Sequence, residues 1–159
     1  MQKIKVLYVE DDLQWREGIQ SFFQHHEHIE ICACATTIAE CFSILEKEQI
    51  DIVIMDILLN DPQQDGLDAT LDIVIQYPAI KIIMLSSLDN EDEIFNEAFL
   101  NGAYDYLYKY DFEQLPKVIN DAMSNRSSKY GIRLKKLVYE QKRQLLNGRD
   151  QQILLLIYE

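Results

Sequence analysis

The sequence predicts an α/β protein with a parallel sheet covered by helices on both faces. Three observations predict it. Five short apolar runs alternate with segments of helical period between residues 3 and 124, the signature of repeated strand–helix units. The central run, Ile50-Asp51-Ile52-Val53-Ile54-Met55-Asp56, is apolar on both strand faces, as expected of a strand buried from both sides. Each strand is followed by a helix, which requires right-handed crossovers between parallel neighbours.

Residues 3–9 read as strand one and run into Glu10-Asp11-Asp12. Helix one follows, with Trp15, Ile19, Phe22 and Phe23 at helical spacing. Residues 29–35 read as strand two. Thr37 and Glu40 form a capping box for helix two, whose Phe42 and Leu45 face inward. Strand three is the central run, and a loop from Ile57 to Gln64 leaves it. Asp65-Gly66 opens helix three, with Leu67, Leu71 and Val74, and Pro78 closes it. Residues 80–86 read as strand four. Asp89 is expected to cap helix four, which holds Ile94, Phe95, Ala98 and Phe99 and ends at Gly102. Strand five is Tyr104 to Tyr108, ending at Lys109. Helix five carries the stripe Leu115, Val118, Ile119, Ala122 and Met123.

The 159 residues suffice for one domain with an appendage. No apolar run approaches the roughly 18 residues that cross a bilayer, and no signal-peptide pattern opens the chain. The expectation is a cytoplasmic protein. Cys32, Cys34 and Cys41 are too few and too odd for a disulfide framework and read as small core residues. His25, His26 and His28 fall at the end of helix one, where positive charge is favoured, and no carboxylate or thiol completes a metal site there. No glycine-rich phosphate loop follows strand one, which argues against a nucleotide site. Charge is uneven: residues 1–124 carry 7 Lys and Arg against 24 Asp and Glu, whereas residues 125–159 carry 8 against 3. The acidic part is unsuited to nucleic acid. A boundary is expected near Ser124 to Ser128, in a Ser-Asn-Arg-Ser-Ser stretch.

Parallel strands end on one rim, and the residues at those ends are chemically consistent. Strand one delivers Glu10, Asp11 and Asp12, strand three Asp56, strand four Ser86 and Ser87, and strand five Lys109. Ligands of open α/β sheets bind at this edge, where the strand order reverses. Two carboxylates about 4 Å apart repel by roughly 4 kcal/mol at the effective dielectric of a protein surface, so they need a proton or a cation. Hard oxygens around a hydrated cleft suit Mg²⁺, which leaves room for a phosphate oxygen. Asp56 is then placed to attack phosphorus in line, with catalysis by positioning and charge neutralisation.

Val-Leu-Tyr-Val-Glu-Asp-Asp, Ile-Val-Ile-Met-Asp, Asp65-Gly66, Met-Leu-Ser-Ser and Gly102-Ala103-Tyr104-Asp105-Tyr106-Leu107-Tyr108-Lys109 resemble the receiver domain of bacterial two-component response regulators. The resemblance spans residues 3–124. It implies a flavodoxin-like (βα)5 sheet of strand order 2-1-3-4-5. It also implies that Asp56 is the phospho-acceptor, and that Glu10 and Asp11 form an acidic pair. Asp11, Asp56 and the Leu58 backbone carbonyl would hold Mg²⁺, beside Glu10. Ser86 and Lys109 would bind the phosphoryl group, and Tyr106 would follow Ser86 inward to reshape the surface of helix four, strand five and helix five. The implied partner is a sensor histidine kinase. The sequence departs from the family in three places. The loop after Asp56 is two residues longer than usual, with its proline late at Pro62. Tyr110 stands where many receivers have proline, so a trans bond after Lys109 is expected. Leu58 and Leu88 replace polar residues near the attacking water, which predicts slow loss of the phosphoryl group.

Leu134, Leu137, Val138 and Leu145 space a helix over 132–146, read as part of a linker covering 125–146 that could also form a homodimer. Residues 147–159 resemble the first helix of a LuxR-type DNA-binding domain and stop at Glu159. The expectation is a truncated chain whose intact form binds DNA and regulates transcription. Two other readings compete. A phosphorylation-independent pseudo-receiver is opposed by the complete set Glu10, Asp11, Asp56, Ser86 and Lys109. An aspartate-nucleophile phosphohydrolase wants a second aspartate where Leu58 stands. The chain is therefore expected not to be an enzyme beyond its own phosphoryl transfer and slow dephosphorylation.

Overall fold

The computed structural model describes residues 2–61, 65–87 and 92–144. Strands and helices alternate: β1 (Ile4–Val9), α1 (Leu13–Phe23), β2 (Ile29–Ala35), α2 (Ile38–Lys47), β3 (Ile52–Asp56), α3 (Gly66–Gln76), β4 (Lys81–Ser86), α4 (Asp92–Leu100) and β5 (Asp105–Tyr108). A 3₁₀ turn, Lys109–Gln114, leads into α5 (Leu115–Met123), and α6 (Lys129–Gln144) follows. The five strands are parallel and ordered β2-β1-β3-β4-β5, as expected. The order reverses at β1, whose neighbours are β2 and β3.

Side-chain alternation splits the core in two. Leu7, Val9, Val53, Met55, Ile82 and Met84 face α2, α3 and α4. Val6, Tyr8, Ile52, Ile54, Ile83 and Leu85 face α1 and α5. Five helices on the two faces leave β1, β3 and β4 buried throughout their central residues, which is why these strands read as unbroken apolar runs.

The ends of the elements have local causes. β3 begins two residues later than the sequence suggests, in register with Val6 at Ile52, and just before it the Asp51 side chain accepts the Lys5 N–H at 2.9 Å. Thr37 caps α2 by accepting the Glu40 N–H at 3.1 Å. The Glu40 carboxylate reaches back beyond the cap to the Thr36 N–H at 2.9 Å. Asp65 caps α3 through the Asp68 N–H at 2.9 Å. α3 stops at Gln76, ahead of Pro78. Among the described residues no peptide bond is cis, so Lys109–Tyr110 is trans as expected. Asp89, expected to cap α4, lies outside the described residues, as do Pro62, Leu88, Leu145 and the whole of 147–159.

The tail helix begins three residues earlier than its apolar spacing suggests and is seated on β5 and α4. Asp105, fully buried, accepts the Ser128 N–H at 2.9 Å and the Ser128 hydroxyl at 2.5 Å. Ser128 Oγ in turn accepts the Tyr130 N–H at 3.2 Å, capping the new helix. Tyr130 meets the rings of Phe95 at 6.0 Å and Tyr108 at 5.7 Å, and the Arg133 guanidinium lies 4.8 Å over Phe95. Among the described residues no helix is long and apolar enough to cross a membrane.

Candidate functional site

The switch point of the sheet brings the ends of β1 and β3 side by side, with Val9 in register with Met55. Glu10 and Asp11 leave β1 at this edge and Asp56 ends β3. Carboxylate oxygens of the three lie within 4.8 Å of one another. Glu10 and Asp56 are buried, whereas Asp11 is exposed at the rim. Lys109, just past β5, crosses to them. Its Nζ bonds Glu10 Oε1 and stands 3.7 Å from Asp56 Oδ2.

Gly66 is required here by close approach rather than by turn conformation. A Cβ at this position would come within 2.2 Å of the Asp56 carbonyl oxygen, so the start of α3 could not lie against the end of β3 with any other residue. This contact closes the floor of the site, and the Leu58 N–H donates to Asp56 Oδ1 at 3.2 Å.

The electrostatics follow from burial. Desolvation pushes the Asp56 carboxyl up to about 7, and the adjacent Glu10 adds to it, while Lys109 and the Leu58 N–H oppose the shift. Burial also works to raise Glu10, but its hydrogen bonds with Asp56 and Lys109 outweigh it and hold Glu10 below the ordinary carboxylate range. Three acids face one lysine at this rim, so the edge favours a further positive charge, a proton or a cation. The donor set is all hard oxygen with one exposed member, which fits a small divalent cation that keeps part of its water.

Ser86 ends β4 next to this edge, in register with Tyr108, and is fully buried. The Leu58 side chain is 52% exposed. Tyr106 does not sit at the rim. It is buried on the α4 side of β5, 5.0 Å from the Phe95 ring and 6.4 Å from Phe99.

Five contacts escaped the sequence reading. Tyr8 donates its hydroxyl to Glu10 Oε1 at 3.2 Å. The Trp15 ring lies 4.7 Å from Lys109 Nζ and meets Phe112 edge-on at 6.1 Å. The Asn60 N–H donates to Asp11 Oδ2 at 3.0 Å, and Arg16 donates to the Glu10 carbonyl at 3.0 Å. Only Tyr8 had a signal: it shares strand parity with Glu10, two residues on, and a tyrosine hydroxyl inside a strand needs a partner.

A doubly wound parallel sheet with an acidic trio and a lysine at its switch point defines a receiver-type module. The chain belongs to the response regulator receiver domain family, matching it over residues 6–120. It is 37% identical over 108 residues to protein-glutamate methylesterase/protein-glutamine glutaminase 2 of Paramagnetospirillum magneticum, covering 67% of this chain and 30% of that protein. It is 30% identical over 107 residues to the transcriptional regulatory protein DegU of Brevibacillus brevis, covering 67% of this chain and 44% of that one. Against the response regulator protein VraR of Staphylococcus aureus it is 30% identical over 167 aligned residues, covering 97% of this chain and 75% of VraR. The chain thus spans less than half the length of the first two relatives. Among solved structures, the response regulator domain of Thermotoga maritima CheB superposes with a TM-score of 0.70 at 25% identity, covering 77% of this chain and 98% of that one. A LuxR-family two-component response regulator from Aurantimonas shares the fold with a TM-score of 0.72 at 22% identity, covering 89% of this chain and 99% of that one.

Proposed function

We propose that the chain is the phospho-accepting part of a two-component regulator, with Asp56 as acceptor, a sensor histidine kinase as donor, and a DNA-binding output that controls transcription. The observation that carries the proposal is the convergence of Glu10, Asp11, Asp56 and Lys109 on one rim of the sheet. Asp56 Oδ forms a bond to phosphorus. The bond from phosphorus to the donor breaks, and its electron pair leaves with the donor. Lys109 neutralises charge on the phosphoryl oxygens, and the Ser86 hydroxyl donates to one of them. Glu10, Asp11, Asp56 and the Leu58 carbonyl would hold Mg²⁺, which supplies charge neutralisation when bound. Tyr106, packed on Phe95 and Phe99 of α4, is the group through which a shift of Ser86 would reach the α4–β5 face. The transcriptional reading is supported by identity to DegU and by the alignment with VraR, which extends over the basic tail. The same reading makes the protein cytoplasmic and no enzyme beyond its own phosphoryl transfer and slow dephosphorylation.

The test is incubation with Mg²⁺ and acetyl phosphate, or with beryllofluoride, followed by intact mass and NMR. One adduct per chain is expected for the wild type and none for Asp56→Asn. Absence of any adduct would leave a phosphorylation-independent interaction module. Rapid multiple turnover of acetyl phosphate would instead favour a phosphohydrolase.

A further inference from the structure

We infer that Tyr8 is a positioning residue of the phosphoryl-transfer site, its hydroxyl holding Glu10 Oε1 so that Lys109 is free to leave it. The inference rests on the phospho-acceptor reading above. Tyr8 lies in the middle of the sheet on β1, fully buried, with Cys34 and Ile54 as its neighbours on the flanking strands. Strand alternation aims Tyr8 and Glu10 to the same side, and the hydroxyl donates to Oε1 at 3.2 Å. The Glu10 side chain is 1% exposed, so its oxygens rely on donors that the fold supplies. Oε2 takes the Asp12 N–H at 3.4 Å. Oε1 takes two donors, the Lys109 ammonium and the Tyr8 hydroxyl.

The two donors differ in kind. Lys109 carries its charge on a flexible four-carbon stem and already stands 3.7 Å from Asp56 Oδ2. Tyr8 is fixed by the sheet. When Asp56 takes up a phosphoryl group, the new oxygens add about −1.5 to −2 charge and draw the ammonium toward them. A Lys109 that was the sole donor to Oε1 would strand a buried carboxylate oxygen on departure, and that penalty would oppose transfer. Tyr8 stays behind as the replacement donor. A core role needs only the ring, which phenylalanine supplies equally well. The hydroxyl is what serves the hand-over.

The experiment uses the full chain as wild type, Tyr8→Phe, Lys109→Ala and the double variant, at a temperature where melting curves show all four folded. Adduct formation from acetyl phosphate is followed at saturating Mg²⁺, and Mg²⁺ affinity is measured separately by calorimetry. Tyr8→Phe is expected to lower the limiting rate about tenfold, the effect of one hydrogen bond to a buried charge. Its Mg²⁺ affinity should stay within about twofold of wild type, because the oxygens offered to the cation are unchanged. In the Lys109→Ala background the same substitution should alter the rate less than about twofold, since no hand-over remains. An unchanged rate in Tyr8→Phe overturns the inference, and so does an equal loss with or without Lys109, which would mark a structural role. A wild type that forms no Asp56 adduct would instead refute the phospho-acceptor reading itself.

Discussion

At the scale of single residues, the site balances opposed charges inside a poorly solvated edge. Asp56 is the clearest case. Its carboxyl is pushed up to about 7 in the fold against an ordinary value of 3.8. Between those values the folded chain holds a proton that the unfolded chain has lost. Folding is therefore favoured at the acid end of the window, and this contribution disappears as pH rises through about 7. Glu10, held low, contributes the opposite slope at lower pH. Asp56→Asn removes the ionisable group. Without Mg²⁺, the variant should exceed the wild type in stability by on the order of 2 kcal/mol at pH 8, with the gap closing toward pH 5. Urea denaturation across that range measures it, and a gap independent of pH would contradict the assignment. Sequence reasoning found the acids and the lysine because they end apolar runs. It did not find that Lys109 rests on Glu10, since a lysine's reach is set by tertiary packing and leaves no trace in spacing. Tyr8 was hidden for a different reason: in a buried strand, an aromatic residue reads as core.

At the scale of elements, strands were the most legible parts and the tail helix the least. β1, β3 and β4 are buried on both faces along most of their length, so nearly all their residues signal burial, and their limits fell within two residues of expectation. The seat of α6 depends on Asp105, a carboxylate in the middle of an aromatic run, and on Tyr130, one aromatic in a polar stretch. Neither has a period. Their partners lie some twenty or more residues away in sequence, where pattern reading has no purchase. The docking also requires Gly131, because a Cβ there would come within 2.8 Å of Ser127 Cβ and 3.3 Å of the Asp105 carboxyl. Gly131→Val should therefore lift the first turn of α6 from β5 while leaving the sheet intact. Hydrogen exchange should show α6 amides losing protection at least tenfold, with β1, β3 and β4 unchanged. Equal protection in the variant would mean that the latch through Asp105 does not hold the helix.

At the scale of the whole molecule, a sheet that ends its strands on one rim concentrates negative charge there, and folding must work against that repulsion. A cation that binds the folded rim and not the unfolded chain offsets it. Mg²⁺ at about 100 times its dissociation constant should stabilise the protein by about 2.7 kcal/mol, read as a rise in melting temperature over an EDTA control. Asp11→Ala should abolish most of that rise, because Asp11 is the exposed member of the trio. A rise of equal size in the variant would place the ion elsewhere. The parallel sheet and the position of the rim were readable from alternation and from the polar residues that terminate each run, whereas the strand order came from the resemblance to receiver domains. The split of the core into an α1/α5 layer and an α2/α3/α4 layer follows from crossover handedness once the order is known.

The placement of Trp15 has a practical corollary. It is the chain's one tryptophan, and its ring rests on the ammonium of Lys109. Whatever draws that ammonium away from the indole will alter the local field felt by the excited state. The protein thus carries its own optical gauge of occupancy at the rim, readable by ultraviolet emission in a cuvette without dye or label.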